Sequence, residues 1–223
     1  MEDCVQETIF YRLPDLIENG DDWPKFVGSL PRQNIGCCNW EQEYPYKPKV
    51  SFATGWNPSG FFLDYCVHEQ QLRAMNTDNN SAVWEDSCVE FFFQFQPGAR
   101  HYSFEFNPIG AFLGQINFIN YGEWIEPADL AKIKVRGSFV NPDGSIEPLL
   151  IDRVTDWKLS VFIPFELLTL AEAQMIIRGL KFFVNFFKCG DKTEQPHFIS
   201  WSPITWPQPS FHRPQFFGTA KLA

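Results

Sequence analysis

Trp84 and Glu90 share the stretch Trp84-Glu85-Asp86-Ser87-Cys88-Val89-Glu90-Phe91, a polar turn that runs into an apolar strand interrupted by one carboxylate. A flat indole and a fixed acid within a strand's length is what a sugar-binding surface needs. The C–H face of a pyranose packs on an aromatic plane, and its hydroxyls seek charged acceptors at the rim. The same residues fit equally an indole packed in a core and a carboxylate on a solvated strand face, and the segment alone does not separate the two. Glu105, in Phe104-Glu105-Phe106-Asn107, supplies a second acid. A glycosidase needs two carboxylates, about 5–5.5 Å or about 6.5–9.5 Å apart. Paired Glu also serve β-sandwiches as plain hydrogen-bonding groups. No G-x-S-x-G, P-loop, G-x-G-x-x-G or H-E-x-x-H motif is present, so the expectation is a protein that is not an enzyme.

A second unusual stretch is 199–218, where Trp201, Trp206, Phe211 and His212 are interleaved with Pro203, Pro207, Pro209 and Pro214. Proline fixes φ, and aromatics on such a braced loop lose little entropy on stacking against a ligand. Trp201, Phe216 and Phe217 are expected in the core; Trp206, Phe211 and His212 are the candidates for exposure. The four histidines, at 68, 101, 197 and 212, are too dispersed for a metal cluster. Six cysteines occur without a C-x-x-C pair, so neither zinc nor a disulfide framework is expected. The polar loop 76–81 offers hard oxygens suited to a structural calcium, although it lacks the EF-hand pattern. No other cofactor is expected.

The elements that must position these groups read as strands. Candidates are 50–56, 61–69, 88–95, 102–106, 112–119, 133–140, 158–164, 180–188, 197–201 and 217–222, separated by turn sequences such as Asn57-Pro58-Ser59-Gly60 and Asn141-Pro142-Asp143-Gly144. Only 166–177 reads as a helix, between Pro164 and Gly179, and 1–45 reads as an irregular extension with short edge structure. The pattern predicts one domain over 1–223, an all-β, antiparallel, jelly-roll-like sandwich with one short helix. Alternation sharpens this. Val89, Phe91, Phe93 and Phe95 share one face, opposite Glu90, Phe92 and Gln94. Tyr102, Phe104 and Phe106 oppose Ser103, Glu105 and Asn107. Phe182, Val184, Phe186 and Lys188 oppose Phe183, Asn185 and Phe187. If these three strands are neighbours, Glu90, Glu105, Asn107 and Asn185 combine into a polar face flanked by aromatics.

Composition agrees. Of 223 residues, 24 are Phe, 8 Trp and 6 Tyr, which suits sheets packed face to face. The net charge of −9 argues against nucleic acid or an anionic membrane as partner, and no apolar run approaches the ~20 residues of a membrane span. No secretory signal is visible at the N-terminus, so the expected location is cytoplasmic unless a leader has been removed. Oligomeric state leaves no signature.

The motif at 84–91, then Phe104-Glu105-Phe106-Asn107, then Ser200-Trp201-Ser202 and the stretch 211–218 ending Pro214-Gln215-Phe216-Phe217-Gly218, resemble the family 9 carbohydrate-binding modules and their relatives, in the right order over roughly 50–222. The resemblance implies a β-sandwich that holds a sugar between two aromatic side chains. It makes Trp84 one wall, Glu90 the carboxylate that bonds the sugar, Asn185 a strand amide in contact with ligand, and Phe211 the opposite wall, with Trp206 near enough to substitute. Glu105 stands where the family's binders offer a basic residue, which changes the hydrogen-bond code; Lys188, Arg213 or His212 would then supply donors. The expected function is non-catalytic binding of a mono- or oligosaccharide by Trp84, Glu90, Glu105, Asn107, Asn185, Lys188, Trp206, Phe211 and His212. The alternatives are a glycoside hydrolase using Glu90 and Glu105, or a protein-interaction module with no sugar ligand.

Overall fold

Alternating aromatic strands have one way to bury their apolar faces, which is against each other. The computed structural model describes residues 6–223. Its strands are, in chain order, β1 (Glu7–Arg12), β2 (Gln33–Ile35), β3 (Cys37–Cys38), β4 (Lys49–Asn57), β5 (Gly60–Glu69), β6 (Leu72–Ala74), β7 (Cys88–Gln94), β8 (His101–Phe106), β9 (Phe112–Asn117), β10 (Gly122–Trp124), β11 (Lys134–Gly137), β12 (Leu149–Ile151), β13 (Thr155–Pro164), β14 (Lys181–Cys189), β15 (Phe198–Ser200) and β16 (Gly218–Leu222). One sheet runs β10-β9-β8-β7-β14-β16-β1 and the other β1-β4-β5-β13-β11. The small strands β2, β3 and β15 extend the sheets, and β6 pairs with β12.

The two inner faces meet in an aromatic core. Phe52 of β4 stacks on Phe186 of β14 with ring centroids 3.9 Å apart, and Phe61 of β5 meets Phe91 and Phe93 of β7 edge-on at 5.9 and 5.4 Å. Each such pair contributes about 0.5–1.5 kcal/mol beyond the area it buries. The Tyr65 hydroxyl crosses the same interior and donates to the Glu90 carbonyl at 3.1 Å, so β7 is fixed to β5 by a polar tie as well as by packing.

β1 belongs to both sheets. Glu7–Phe10 pair in parallel with Thr219–Leu222 of β16, and Tyr11 and Arg12 pair in parallel with Gly55 and Trp56 of β4. Phe10, fully buried, touches Phe61, Phe91 and Phe182 from both layers. Close approach is needed at the start of β16. A Cβ on Gly218 would lie 2.6 Å from both the Gln6 carbonyl oxygen and the Trp201 ring, which accounts for the Phe217-Gly218 step.

All ten expected strands are present, but the fold differs from expectation in four respects. Residues 6–45 hold a central strand, β1, together with α1 (Trp23–Gly28), whose Trp23 and Val27 cover Phe62 and Phe162 on the outer face of the second sheet. The pairing partner of β1 lies about 200 residues away in sequence, so no local pattern marked it. The two pairings of β1 are parallel, not antiparallel. The helix expected at 166–177 is instead a 3₁₀ turn, Phe165–Leu167, and a single α turn, α3 (Leu170–Ala173). Thr169 interrupts it as an N-cap, forming a capping box with Glu172, whose carboxylate is bound by Arg100 and the Tyr102 hydroxyl. A further short helix, α2 (Pro127–Leu130), was not anticipated.

The turn that carries Trp84 is anchored by Asp86. This fully buried carboxylate accepts the Arg73 guanidinium, the backbone N–H groups of Met75 and Asn76 at 3.0 Å each, and the Asn107 amide at 3.0 Å. Asn107 also donates to the Asn76 carbonyl at 2.8 Å and accepts from Ala111 N–H at 3.0 Å. In the loop 76–81, considered for calcium, the side-chain oxygens of Asn79 and Asn80 accept from Phe112 and Gly114 N–H and fasten the loop to β9. Replacing Asp86 by Ala strands Arg73 and three other donors. The expected loss is about 3–5 kcal/mol, read as a lower urea midpoint with an unchanged slope; a shift within error of zero would show that the network is dispensable.

Candidate functional site

With Phe91, Phe104 and Phe186 turned inward, the opposite phase of the same strands forms the floor of a cavity on the open face of the first sheet. Glu90 of β7 and Glu105 of β8 are directly opposite in register, and both line the cavity, which encloses about 370 Å³. Leu113 and Gln115 of β9 extend the floor, and Trp124 of β10, paired with Gln115, stands at its edge. Cys189 closes β14, and Asp191 follows it at the exposed rim. Phe198 lines the same cavity, and the proline-braced loop contributes Pro209, Ser210, Phe211 and His212.

The walls are held from behind. Trp84 lies in a 3₁₀ turn, Val83–Glu85, and is 37% exposed; its carbonyl accepts from Asp191 N–H at 3.2 Å, with Cys189 Sγ 3.4 Å away. Phe211 stacks on Phe187 at 4.2 Å with planes 13° apart and tilts against Trp40, so it is a fixed and largely buried wall. His212 sits over the Phe92 ring at 4.8 Å, with its Nδ1 3.3 Å from His101 Nε2. His101 is pushed down to about 4 by burial and by His212; His212, exposed on one side, is pushed down to about 4 by desolvation and by Arg213. Both imidazoles are therefore neutral near pH 7.

Glu90 and Glu105 are unusual in having no lysine or arginine beside them in the cavity among the described residues. Glu90 is almost fully buried, and burial together with Cys189 and Glu105 raises its carboxyl well above the ordinary range. The Cys189 thiol donates to Glu90 Oε1 at 3.0 Å. Burial and Asp191 push Glu105 up to about 8, and its Oε2 is buried without a hydrogen-bond partner. Desolvation and Glu85 push Asp191 up to about 6. Among the described residues, no lysine or arginine lines the cavity. Its chemistry is that of carboxyl oxygens, one hydroxyl and amide-type groups between aromatic planes.

Of the nine residues expected to bind ligand, Trp84, Glu90, Glu105, Phe211 and His212 line this cavity, and four do not. Asn107 serves the Asp86 network. Asn185 accepts from Ser202 and Phe186 N–H at 2.9 Å and donates to the Ser202 carbonyl at 3.1 Å, so it pins the aromatic loop from below instead of facing a ligand. Lys188 is fully buried between the sheets, its Nζ 2.9 Å from Glu69 Oε2 and 2.7 Å from His197 Nε2. Trp206 stands off to one side, its ring covered by the Arg213 guanidinium at 3.8 Å; neither residue lines the cavity. Gln115, Trp124, Cys189 and Asp191 escaped sequence reasoning. Extending the alternation to β9 would have placed Gln115 in phase with Leu113 on the floor, whereas Trp124 lies on the short edge strand β10, which no sequence pattern marked.

Comparisons with known proteins agree with this architecture. The family model described as carbohydrate-binding family 9 matches residues 26–222. A crystal structure of a provisionally assigned carbohydrate-binding protein from Bacteroides uniformis superposes with a TM-score of 0.86 at 32% identity, covering 98% of this chain and all of the other. A family 9 carbohydrate-binding module from Caldicellulosiruptor kristjanssonii is similar in fold. Its glucose complex gives a TM-score of 0.59 at 13% identity, covering 98% of this chain and 96% of the other, and its cellotriose complex gives 0.57 at 11%, covering 97% and 93%. A comparison with curated protein sequences gave no match. The family-model match spans most of the chain and the Bacteroides structure covers nearly all of it, and the chain belongs to carbohydrate-binding family 9.

Proposed function

We propose that the cavity is a non-catalytic saccharide site, with a sugar ring packed against Trp84 and Phe211 and its hydroxyls bonded by Glu90, Glu105 and Asp191. The observation that carries this reading is the joining of aromatic planes and carboxyls around one cavity of about 370 Å³, a size and composition suited to a small ligand. Trp124, 49% exposed at the edge, gives a third surface on which a longer chain would rest. The bound glucose and cellotriose of the Caldicellulosiruptor module support the ligand class. Catalysis is a poor fit to the acids. A retaining glycosidase needs one carboxylate held ionised as nucleophile, whereas burial raises both Glu90 and Glu105, and among the described residues no lysine or arginine lines the cavity to oppose it.

Two measurements test the reading. Calorimetry with glucose, cellotriose and glucosamine should find at least one ligand, and Trp84→Ala should weaken that ligand at least about tenfold, the loss of one stacked face and its buried area. Unchanged affinity would remove Trp84 from the site. The second measurement asks whether Glu105 is there for binding or for the fold. Its carboxyl stands at about 8 and that of Asp191 at about 6, above ordinary values of about 4.3 and 3.9. Between about pH 4.5 and 8 the native state therefore holds more protons than the unfolded chain, and stability falls as pH rises. Glu105→Gln removes part of that slope, so its melting temperature should exceed that of the wild type by several degrees near about pH 8.5 and converge with it near about pH 5. A lower melting temperature at both pH values would make Glu105 a structural residue.

A further inference from the structure

The saccharide reading leaves an imbalance at the floor of the cavity. Glu90, Glu105 and Asp191 all line it, and Glu85 stands behind Asp191. The basic groups nearby lie outside the cavity, and only Lys192 acts on one of its acids, Asp191. Lys192 Nζ pairs with Glu85 at 2.8 Å, Arg213 covers Trp206 at 3.8 Å, and Lys188 lies between the sheets on Glu69. Where a cationic donor would steady Glu90, the chain supplies the weak thiol donor of Cys189. Glu105 Oε2, in a residue only 5% exposed, has no partner among the described residues. A neutral sugar brings hydroxyl groups to such a floor but nothing that favours the ionised form of its acids in a partly desolvated site. A positive charge on the ligand would draw these acids into their ionised form and offset the repulsion this creates, supply the missing partner of Glu105, and be attracted by the electron-rich faces of Trp84 and Trp124.

Resting on the saccharide reading, we propose that this site selects amino sugars, saccharides carrying a free ammonium group, over their neutral counterparts. Acid groups of this kind favour their ionised form once a cation lies beside them, so the raised carboxyls of the free protein are a consequence of the same arrangement. Selectivity comes from the carboxyls and stacking from the aromatic walls, and the two are separable by mutation.

The test is calorimetry on the whole chain at about pH 6.5, below the range in which a free amine titrates, with glucosamine, glucose and N-acetylglucosamine as ligands. The last carries a substituent on the same nitrogen without the charge. Glucosamine should bind at least about tenfold more tightly than either neutral sugar, and its advantage should shrink in high salt. Glu105→Gln and Asp191→Asn, each checked for a native melting transition, should each bring the glucosamine-to-glucose affinity ratio towards one. Equal or weaker binding of glucosamine by the wild type overturns the inference and leaves the saccharide site standing. A preference that survives both substitutions also overturns it, because the charge would then be recognised elsewhere. Absence of binding by all three sugars removes the saccharide reading and this inference with it.

Discussion

Phe91 can face the interior of the sandwich only if Glu90 faces out of it. That constraint, the period of two along a strand, organises the molecule. Phe91, Phe93, Phe104 and Phe186 fill the space between the sheets, and a one-residue slip of β7 against β8 or β14 would expose several of them together. The register that keeps them inside is also the register that sets Glu90 opposite Glu105. The core therefore fixes the site without touching its chemistry. The residues behind the walls (Asp86 for the Trp84 turn, Asn185 for the aromatic loop, Phe187 under Phe211) translate that rigid frame to the side chains at the opening.

Placing carboxyls on such a floor works against the fold. A buried acid without a counter-charge is stable mainly when protonated, and Glu90 and Glu105 are both in that condition. A chain under no demand except stability would carry Leu or Gln there. The opposite choice is seen between the sheets, where Glu69 has Lys188 Nζ 2.9 Å from its Oε2 and accepts from the Trp157 indole N–H at 2.6 Å. One molecule thus holds a buried acid that faces a cation and others beside a cavity that do not, and the difference separates a structural role from a binding role.

Much of this was legible from the residues. The strands and their inward phases followed from aromatic alternation, and Trp84, Glu90 and Glu105 followed from their positions on the opposite phase. Asn107 and Asn185 were read on the correct face, but a polar side chain there serves a ligand or its own loops according to where those loops fold, and both serve loops. Lys188 shares the phase of Phe186, which places it inside; the expectation of a donor for the sugar ran against that geometry. Asp191 and Trp124 lie just past a strand end and on an edge strand, where tertiary contacts and not periodicity determine what a side chain faces. The strand at 7–12 was illegible for the same reason, since its partners are remote in sequence.

That remote pairing has a consequence for how the molecule is assembled. Glu7–Phe10 find their partners only in Thr219–Leu222, and β14 completes its own edge against the same residues. During synthesis the first sheet can be drawn together from β7 to β14, yet it cannot be joined to the second through β1 until 218–222 have left the ribosome. Until then the Glu7–Phe10 part of β1 lacks its strand partner, with an aromatic centre at Phe10 open to wrong partners, and closure waits for β16. Glu7 and Arg12, the charged residues at the two ends of β1, are then useful as protection for a strand that must wait.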